Sequence, residues 1–211
     1  MLGANDGILS TASLVIGVAA SGASGATIVT AGIAGLVAGA LSMAAGEYVS
    51  VSSQRDAEEA DLRLEQRELS RDPAGELREL AGVYERRGLP PGLATEVALA
   101  LSSRGALLAH ARDELGLDEA RRARPFQAAW TSALSFAAGA TLPLATVAVL
   151  PARARVGAAV AVTLVALGLL GATGARLGGA PRRRAAVRVV VWGAGAMAIT
   201  AGIGALAGAI V

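Results

Sequence analysis

The sequence predicts an all-α membrane protein with five transmembrane helices and a helical insert between the second and the third. Of its 211 residues, 54% are hydrophobic, and the mean hydropathy is +0.54. No ionisable residue lies between Asp6 and Glu47, and three later runs are also uncharged, at 126–150, 156–175 and 189–211. A bilayer-spanning helix needs about 20 apolar residues, whereas a soluble core could not surround so many fully apolar helices.

The first two spans come from one uncharged stretch, residues 7–46, which is too long for a single transmembrane helix. Small, turn-prone residues at 21–27 predict a tight hairpin between helices at about 2–23 and 28–51. Past the second span the sequence turns polar without a glycine or proline stop. The second helix is therefore expected to continue out of the bilayer, and we assign 1–54 to the first two spans.

Residues 55–122 are expected to form an insert of several soluble helices, followed by the last three spans at 123–211. The segment 53–71 is rich in Glu, Leu, Arg and Ala, which favour helix. Proline and glycine divide the rest of the insert into further helices, with starts and stops at Asp72-Pro73, Gly88, Pro90-Pro91, Ser103 and Gly116.

Acidic and basic residues are distributed unevenly along the chain. Residues 55–122 hold 15 of the 17 acidic and 11 of the 19 basic residues, a net charge of −4, which leaves +6 for the remainder. Because the most polar segment is acidic and carries no aromatic-interleaved basic patch, no nucleic-acid partner is expected. Cysteine is absent, which excludes disulfides, thiolate metal sites and cysteine nucleophiles.

Arginines at the ends of the spans predict the orientation. Arg121, Arg122 and Arg124 precede the third span, and five more arginines lie between the fourth and fifth, against Arg153 and Arg155 on the other side. The positive-inside rule then places the insert in the cytoplasm. We expect a multi-pass integral membrane protein, in the bacterial inner membrane, with the insert 55–122 cytoplasmic.

Three residues in the first two spans are candidate metal ligands. Asp6 lies within the first span, where a carboxylate is costly and rare and so indicates function; the alternative is that it caps the helix start. Met43 and Glu47 lie four residues apart on one face of the second helix. A thioether beside a carboxylate suits Fe²⁺ better than Mg²⁺ or Ca²⁺, although Met43 alone is also compatible with ordinary packing.

The insert carries the strongest pattern of candidate ligands. Helical spacing places one acidic stripe on its first helix, a pair of glutamates on the next, and a histidine with a glutamate further on: Glu58, Asp61, Glu65 and Glu68; Glu76 and Glu79; His110 and Glu114. Helical bundles bind metals with such carboxylates and histidines from facing helices. The open alternative is a solvated face on which these acids pair with Arg63, Arg67, Arg71 and Arg78.

Five short segments, spread in order over the chain, resemble the vacuolar iron transporter family of proton-coupled Fe²⁺ and Mn²⁺ exporters. They are NDGILS (5–10), SMAAGEYVS (42–50), SQRD (53–56), DELGL (113–117) and PFQAA (125–129). The resemblance implies five spans, a cytoplasmic helical metal-binding domain between the second and third, and a homodimer with the ion path between its subunits.

The resemblance also implies roles for particular residues. Asp6 and Met43 match the ligands of the membrane path, and the domain ligands match Glu65, Glu68, Glu76, Glu79 and Glu114. His110 and Ala111 stand where plant members have methionines, and the cytoplasmic lead-in usual in the family is missing. Glycines at 32, 35 and 39 are expected to pack the first two spans of one subunit against its partner, the alternative being ordinary packing within one chain.

We therefore expect antiport of Fe²⁺ and/or Mn²⁺ out of the cytoplasm, with protons returning, metal ions and protons as partners in a lipid bilayer, and no organic cofactor. One alternative is a passive divalent-cation channel, and another is a membrane-anchored metal buffer or sensor. An enzyme is not expected, because the chain has a single histidine, no nucleotide-binding glycine loop and no catalytic triad.

Overall fold

The computed structural model describes residues 2–117 and 123–210, and within these ranges every regular element is an α-helix. The helices are α1 (Leu2–Ala20), α2 (Gly25–Arg71), α3 (Pro73–Arg86), α4 (Pro91–Asp113), α5 (Pro125–Val149), α6 (Ala152–Leu177) and α7 (Arg182–Ile210). Five of them, α1, α2, α5, α6 and α7, are long and apolar enough to cross a membrane. The predicted fold class, an all-α protein with five membrane-spanning helices, is confirmed.

The chain divides into two compact units, which we describe separately. The membrane unit comprises Met1–Tyr48 and Phe126–Val211, and the second unit, Val49–Pro125, contains the predicted insert 55–122. The helix α2 belongs to both, because it runs for 47 residues without interruption. At a rise of about 1.5 Å per residue it is roughly 70 Å long, more than twice what a bilayer core needs. Arg121 and Arg122, used above to predict orientation, lie outside the described residues.

The hairpin between α1 and α2 has the predicted length and lies three residues earlier in the chain. The first helix ends at Ala20 and the second begins at Gly25, so the turn takes four residues. Gly22 has a φ of 82°, a conformation that favours glycine, and the Ser24 hydroxyl accepts a hydrogen bond from the Thr27 amide at 3.2 Å. This cap lets α2 start three residues earlier than composition suggests.

The core of the membrane unit surrounds α1. Ala12, Val15 and Ile16 are buried in one cluster with residues of α2, α5, α6 and α7, namely Ile28, Val147, Ala159 and Met197. Glycines allow the backbones to approach: a Cβ at Gly204 would overlap the Gly17 carbonyl, and one at Gly7 would overlap that of Phe136. These contacts hold α7 and α5 directly against α1.

The glycines of α2 also pack within the chain. A side chain at Gly32 would meet Leu144 and Val15, one at Gly35 would meet Leu14, and one at Gly39 would meet the Phe136 ring. Their neighbours therefore belong to α1 and α5 of the same chain. These contacts match the alternative of ordinary packing within one chain, and contact of the first two spans with a second subunit stays a prediction.

The insert has its own small core between α3 and α4. Leu80, Ala81 and Tyr84 of α3 pack against three alanines of α4, at 94, 98 and 109. Asp72 caps α3 by accepting a hydrogen bond from the Gly75 amide at 2.8 Å, as its sequence position predicts. The break expected at Ser103 falls instead at Gly105, whose φ of 149° and ψ of 93° kink α4.

Candidate metal centres

Three helices of the insert bring two carboxylates and one histidine together. Glu65 on α2, Glu76 on α3 and His110 on α4 each present a ligand atom, and all of these atoms lie within 4.8 Å of one another. His110 is fully buried, and the Glu65 side chain is only 4% exposed. The next residue after α4, Glu114, extends the group from one helical turn beyond His110. The structure thus collects four of the predicted ligands in a single site.

The Nδ1 nitrogen of His110 lies near three carboxylate oxygens, more than one N–H group can hydrogen-bond. Its Nδ1 lies 2.7 Å from Glu114 Oε2, 2.9 Å from Glu65 Oε1 and 3.9 Å from Glu76 Oε2. One ring nitrogen carries at most one proton, which can be donated well to one of these oxygens. Glu65 Oε1 and His110 Nε2 are both buried without a hydrogen-bond partner. Unsatisfied buried acceptors of this kind are what a bound cation would satisfy.

Crowding raises the pKa values of two carboxylates in the group. For Glu65, burial is the main cause of the raised pKa. The charge of His110 lowers this pKa, and the charges of Glu114, Glu76 and Glu68 raise it further. For Glu79 the charge of Glu114 is the main cause, followed by a hydrogen bond between the two carboxyl groups. Such pairs hold a proton or a cation, because two bare carboxylates repel each other.

We call the six residues Glu65, Glu68, Glu76, Glu79, His110 and Glu114 the insert cluster. Glu68 and Glu79 are exposed members, which lie close enough to affect the charge state of the buried ones. Glu58 stands apart, and its carboxylate accepts a hydrogen bond from the Gln54 amide at 2.9 Å. Asp61 is exposed.

Three of the four arginines expected to pair with the acidic stripe have other partners. The Arg63 Nη1 atom lies 3.8 Å from Glu59 Oε2, and Arg78 Nη2 lies 4.0 Å from Asp72 Oδ2. The side chain of Arg67 donates to the backbone carbonyl of Arg63 at 3.1 Å. These contacts favour the metal-site interpretation over the solvated-face alternative, because they leave the carboxylates around His110 to one another.

A second polar group, which sequence reasoning missed, joins the ends of α3 and α4. Asp113 accepts hydrogen bonds from the Tyr84 hydroxyl at 2.8 Å and from Arg87 Nη1 at 2.9 Å, and Arg87 Nη2 donates to the Asp113 carbonyl at 2.7 Å. We call these three residues the Asp113 clamp. Asp113 precedes Glu114 and follows His110 by three residues, so the clamp holds the backbone that carries two residues of the insert cluster.

Contacts within the Asp113 clamp shift the pKa values of Asp113 and Tyr84. Burial opposes ionisation of Asp113, but the hydrogen bonds from Arg87 and Tyr84, together with the Arg87 charge, outweigh it and lower its pKa. Burial and then the hydrogen bond to Asp113 raise the pKa of Tyr84 to about 12. At neutral pH the clamp therefore consists of a carboxylate, a guanidinium and a neutral phenol.

In the membrane unit, Asp6 and Met43 line the same cavity of about 260 Å³ between α1 and α2. The other lining residues are Ser10, Thr11, Leu14, Gly35, Gly39, Ser42 and Phe136. The Thr11 hydroxyl is buried without a hydrogen-bond partner. This membrane cavity combines a carboxylate, a thioether and hydroxyls, a mixed donor set compatible with a borderline cation.

Asp6 lies beyond the first turn of α1, which contains no acidic residue, so it does not cap this helix. The neighbouring Gly7 packs directly on the Phe136 carbonyl of α5, and this contact holds α1 in place beside the cavity. Glu47 is half-buried one turn beyond Met43 on the same face of α2, and it is not among the residues that line the cavity.

Comparison with known proteins gives matches over nearly the whole chain. The model of the VIT family matches residues 1–205. A vacuolar iron transporter of Acanthamoeba castellanii is 48% identical over 207 residues, which cover 98% of this chain and 76% of the relative. Vacuolar iron transporter homolog 3 of Arabidopsis thaliana is 39% identical, covering 99% and 81%, and homolog 5 of Oryza sativa is 38% identical, covering 96% and 76%.

Proposed function

This chain belongs to the VIT family, and on that premise we propose that it exports Fe²⁺ and/or Mn²⁺ from the cytoplasm in exchange for protons. Metal-ion transport is supported by the family, whose relatives are named vacuolar iron transporters. The observation that carries the proposal is the cavity between two membrane-spanning helices that is lined by both Asp6 and Met43. A carboxylate there indicates an ion path, because an anchor has no use for a charge at that position.

The insert cluster acts as the collector of metal in this proposal. Glutamate and histidine ligands suit Fe²⁺ and Mn²⁺, and the buried Glu65 oxygen that lacks a hydrogen bond points to an ion as its natural partner. We propose residues 55–122 as a cytoplasmic metal-binding domain with these six residues as ligands. Its cytoplasmic side is supported by Arg124 and by the arginines at the end of α6 and the start of α7. The bacterial inner membrane remains a prediction.

From the insert the ion passes to the membrane cavity, where Asp6 offsets part of the cost of removing water from a divalent cation. Met43 adds a softer ligand, which favours transition metals over Mg²⁺ and Ca²⁺. Glu47, one turn from Met43, is proposed as a further ligand towards the end of the span. Carboxylates bind metal only when deprotonated, so one set of groups can bind either the metal or the returning protons.

A homodimer is part of the proposal, with the ion path completed between two subunits. The membrane cavity supplies one carboxylate and one thioether, fewer ligands than a divalent ion takes from a closed site. Asp6, Ser10 and Ser42, which line this cavity, are exposed in the single chain, so a second copy could approach the cavity and add ligands to it.

Proteoliposomes containing the full chain test the function. With Mn²⁺ or Fe²⁺ on one side, metal entry reported by a trapped dye should be matched by proton movement in the opposite direction. Metal flux that proceeds without proton movement would support the passive channel instead. Metal binding without any flux would support the membrane-anchored buffer or sensor.

A further inference from the structure

The arginines of the last three spans have no acidic counterpart in their own part of the sequence. Residues 123–211 contain eight arginines and neither aspartate nor glutamate. Five of the eight lie around the turn from α6 to α7, at 176, 182, 183, 184 and 188. So much uncompensated positive charge at the end of two spans attracts anions to that surface.

Three of these arginines line a groove along the start of α7. Arg183, Arg184 and Arg188 share its surface with Val187, Val191 and Trp192, around a volume of about 550 Å³. The apolar part is open to the surroundings, since Val187 is 54%, Val191 62% and Trp192 76% exposed. The groove is therefore basic at one end and apolar at the other.

The position of the groove along α7 matches the edge of a bilayer. From Val189 to the helix end at Ile210, α7 has 22 uncharged residues, about 33 Å of helix against a hydrocarbon core of about 30 Å. Arg188 then lies at the hydrocarbon boundary, and Arg184 lies about 6 Å further out, at headgroup depth. Trp192 is one turn inside Arg188, where interfacial aromatic residues are common.

We propose that this groove binds an anionic phospholipid, with the headgroup phosphate between Arg184 and Arg188 and the start of an acyl chain on Val187, Val191 and Trp192. The guanidinium group is suited to phosphate because its donors form two parallel hydrogen bonds. A free phosphate would leave the apolar end empty. A second copy placed symmetrically on this face would bring its arginines against these, and like charges repel. The site is independent of the transport proposal.

The test measures lipid retention by the full-length protein, purified in detergent with equal amounts of phosphatidylglycerol and phosphatidylcholine and analysed by native mass spectrometry. Wild-type protein should retain phosphatidylglycerol preferentially. The variant Arg183→Gln, Arg184→Gln, Arg188→Gln should lose that preference by about tenfold or more. A matched control is Arg63→Gln, Arg67→Gln, Arg71→Gln on the exposed face of α2 in the insert, which removes the same charge and should behave as wild type.

Two further variants separate specific binding from general charge or misfolding. Arg188→Gln alone should weaken retention while thermal unfolding stays near that of wild type, and Trp192→Ala should do so without any change in charge. Glycerol phosphate, which lacks acyl chains, should not compete. The proposal is overturned by equal retention of both lipids, by equal loss in the α2 control, by competition from glycerol phosphate, or by loss of dimers instead of lipid.

Discussion

The insert cluster and the membrane cavity hold their candidate ligands in opposite ways. The cluster gathers five carboxylates and an imidazole, and three of the carboxylates lie around one buried ring nitrogen. The cavity presents one carboxylate and one thioether beside three hydroxyl groups. A charged group inside the bilayer is far more costly than one at the surface of a water-exposed helical unit, so the membrane region has fewer of them.

The contrast fits the two tasks that we propose for the regions. A collector should bind dilute metal, which many charged ligands favour. A transport path must also release its ion, so a sparse site that becomes complete only with a second subunit is better suited to passage. The following predictions test this division, beginning with the largest expected effect.

Replacing Asp6 by Asn should abolish proton-coupled exchange, because Asn keeps the shape and an oxygen but loses the charge and the titratable proton. Metal binding to the insert should stay near normal. Ser13→Ala is the matched control on the same helix, since Ser13 is not among the residues that line the cavity. Exchange rates in proteoliposomes measure both variants. Normal exchange by Asp6→Asn would remove Asp6 from the path.

Replacing Glu65 by Gln should weaken the tightest metal binding of the full chain by at least about 10–100-fold. A loss of that size is typical when a residue that only orients a metal ligand is replaced. Without metal, the same variant should be no less stable than wild type, because it removes a buried carboxylate from a crowded cluster. Titration calorimetry and metal-dependent thermal shifts measure the two effects. Glu58→Gln, two turns away on α2 and outside the cluster, should change neither. Equal affinities in both variants would contradict the collector role.

Replacing Asp113 by Asn should weaken metal binding by up to about tenfold, by loosening the backbone that carries His110 and Glu114. It should also lower the free energy of unfolding by about 1–2 kcal/mol at neutral pH. Because folding lowers the pKa of Asp113, its contribution is complete above the ordinary value of 3.8 and is lost as the pH falls through the lower folded value. The stability difference between variant and wild type should therefore shrink in acid. A difference that is constant with pH would argue against the ionised clamp.

The smallest effect is expected for Tyr84→Phe, which removes one hydrogen bond to Asp113 and keeps the buried ring. The loss should be about 1 kcal/mol in the free energy of unfolding, measured by thermal unfolding in detergent. Exchange through the membrane cavity at saturating metal should not change. A loss of exchange as complete as that of Asp6→Asn would show that the two regions are not separate in function.

Much of the fold was accessible from local patterns. Uncharged runs of sufficient length identify the five spans, because hydrocarbon tolerates few other sequences. Asp72 before Pro73 marked the start of α3 correctly, since capping depends on adjacent residues only. The kink at Gly105 and the early start of α2 were displaced from their predicted positions, because glycine conformation and the Ser24 cap depend on how the chain continues around them.

The residues of the candidate metal site, like the fold, were predicted only in part from local patterns. Helical spacing alone selected Glu65, Glu76, His110 and Glu114, and it selected Glu58 on equal grounds. Only the packing of α2, α3 and α4 placed the three glutamates around the Nδ1 atom of His110 and left Glu58 with Gln54. Residues 26–29 positions apart in sequence form the Asp113 clamp, and no periodicity within one helix relates them.

By itself the sequence determined the helical class, the number of spans, the acidic insert and the residue types that can bind a metal. These properties follow from composition and from the helical period, which act over a few neighbouring residues. The tertiary structure decided which of those residues meet: Asp6 with Met43 in one cavity, Glu65 with His110 in the insert, and the α2 glycines with α1 and α5 of the same chain. Such contacts depend on how separate helices pack, and side-chain volume and close backbone approach set that packing.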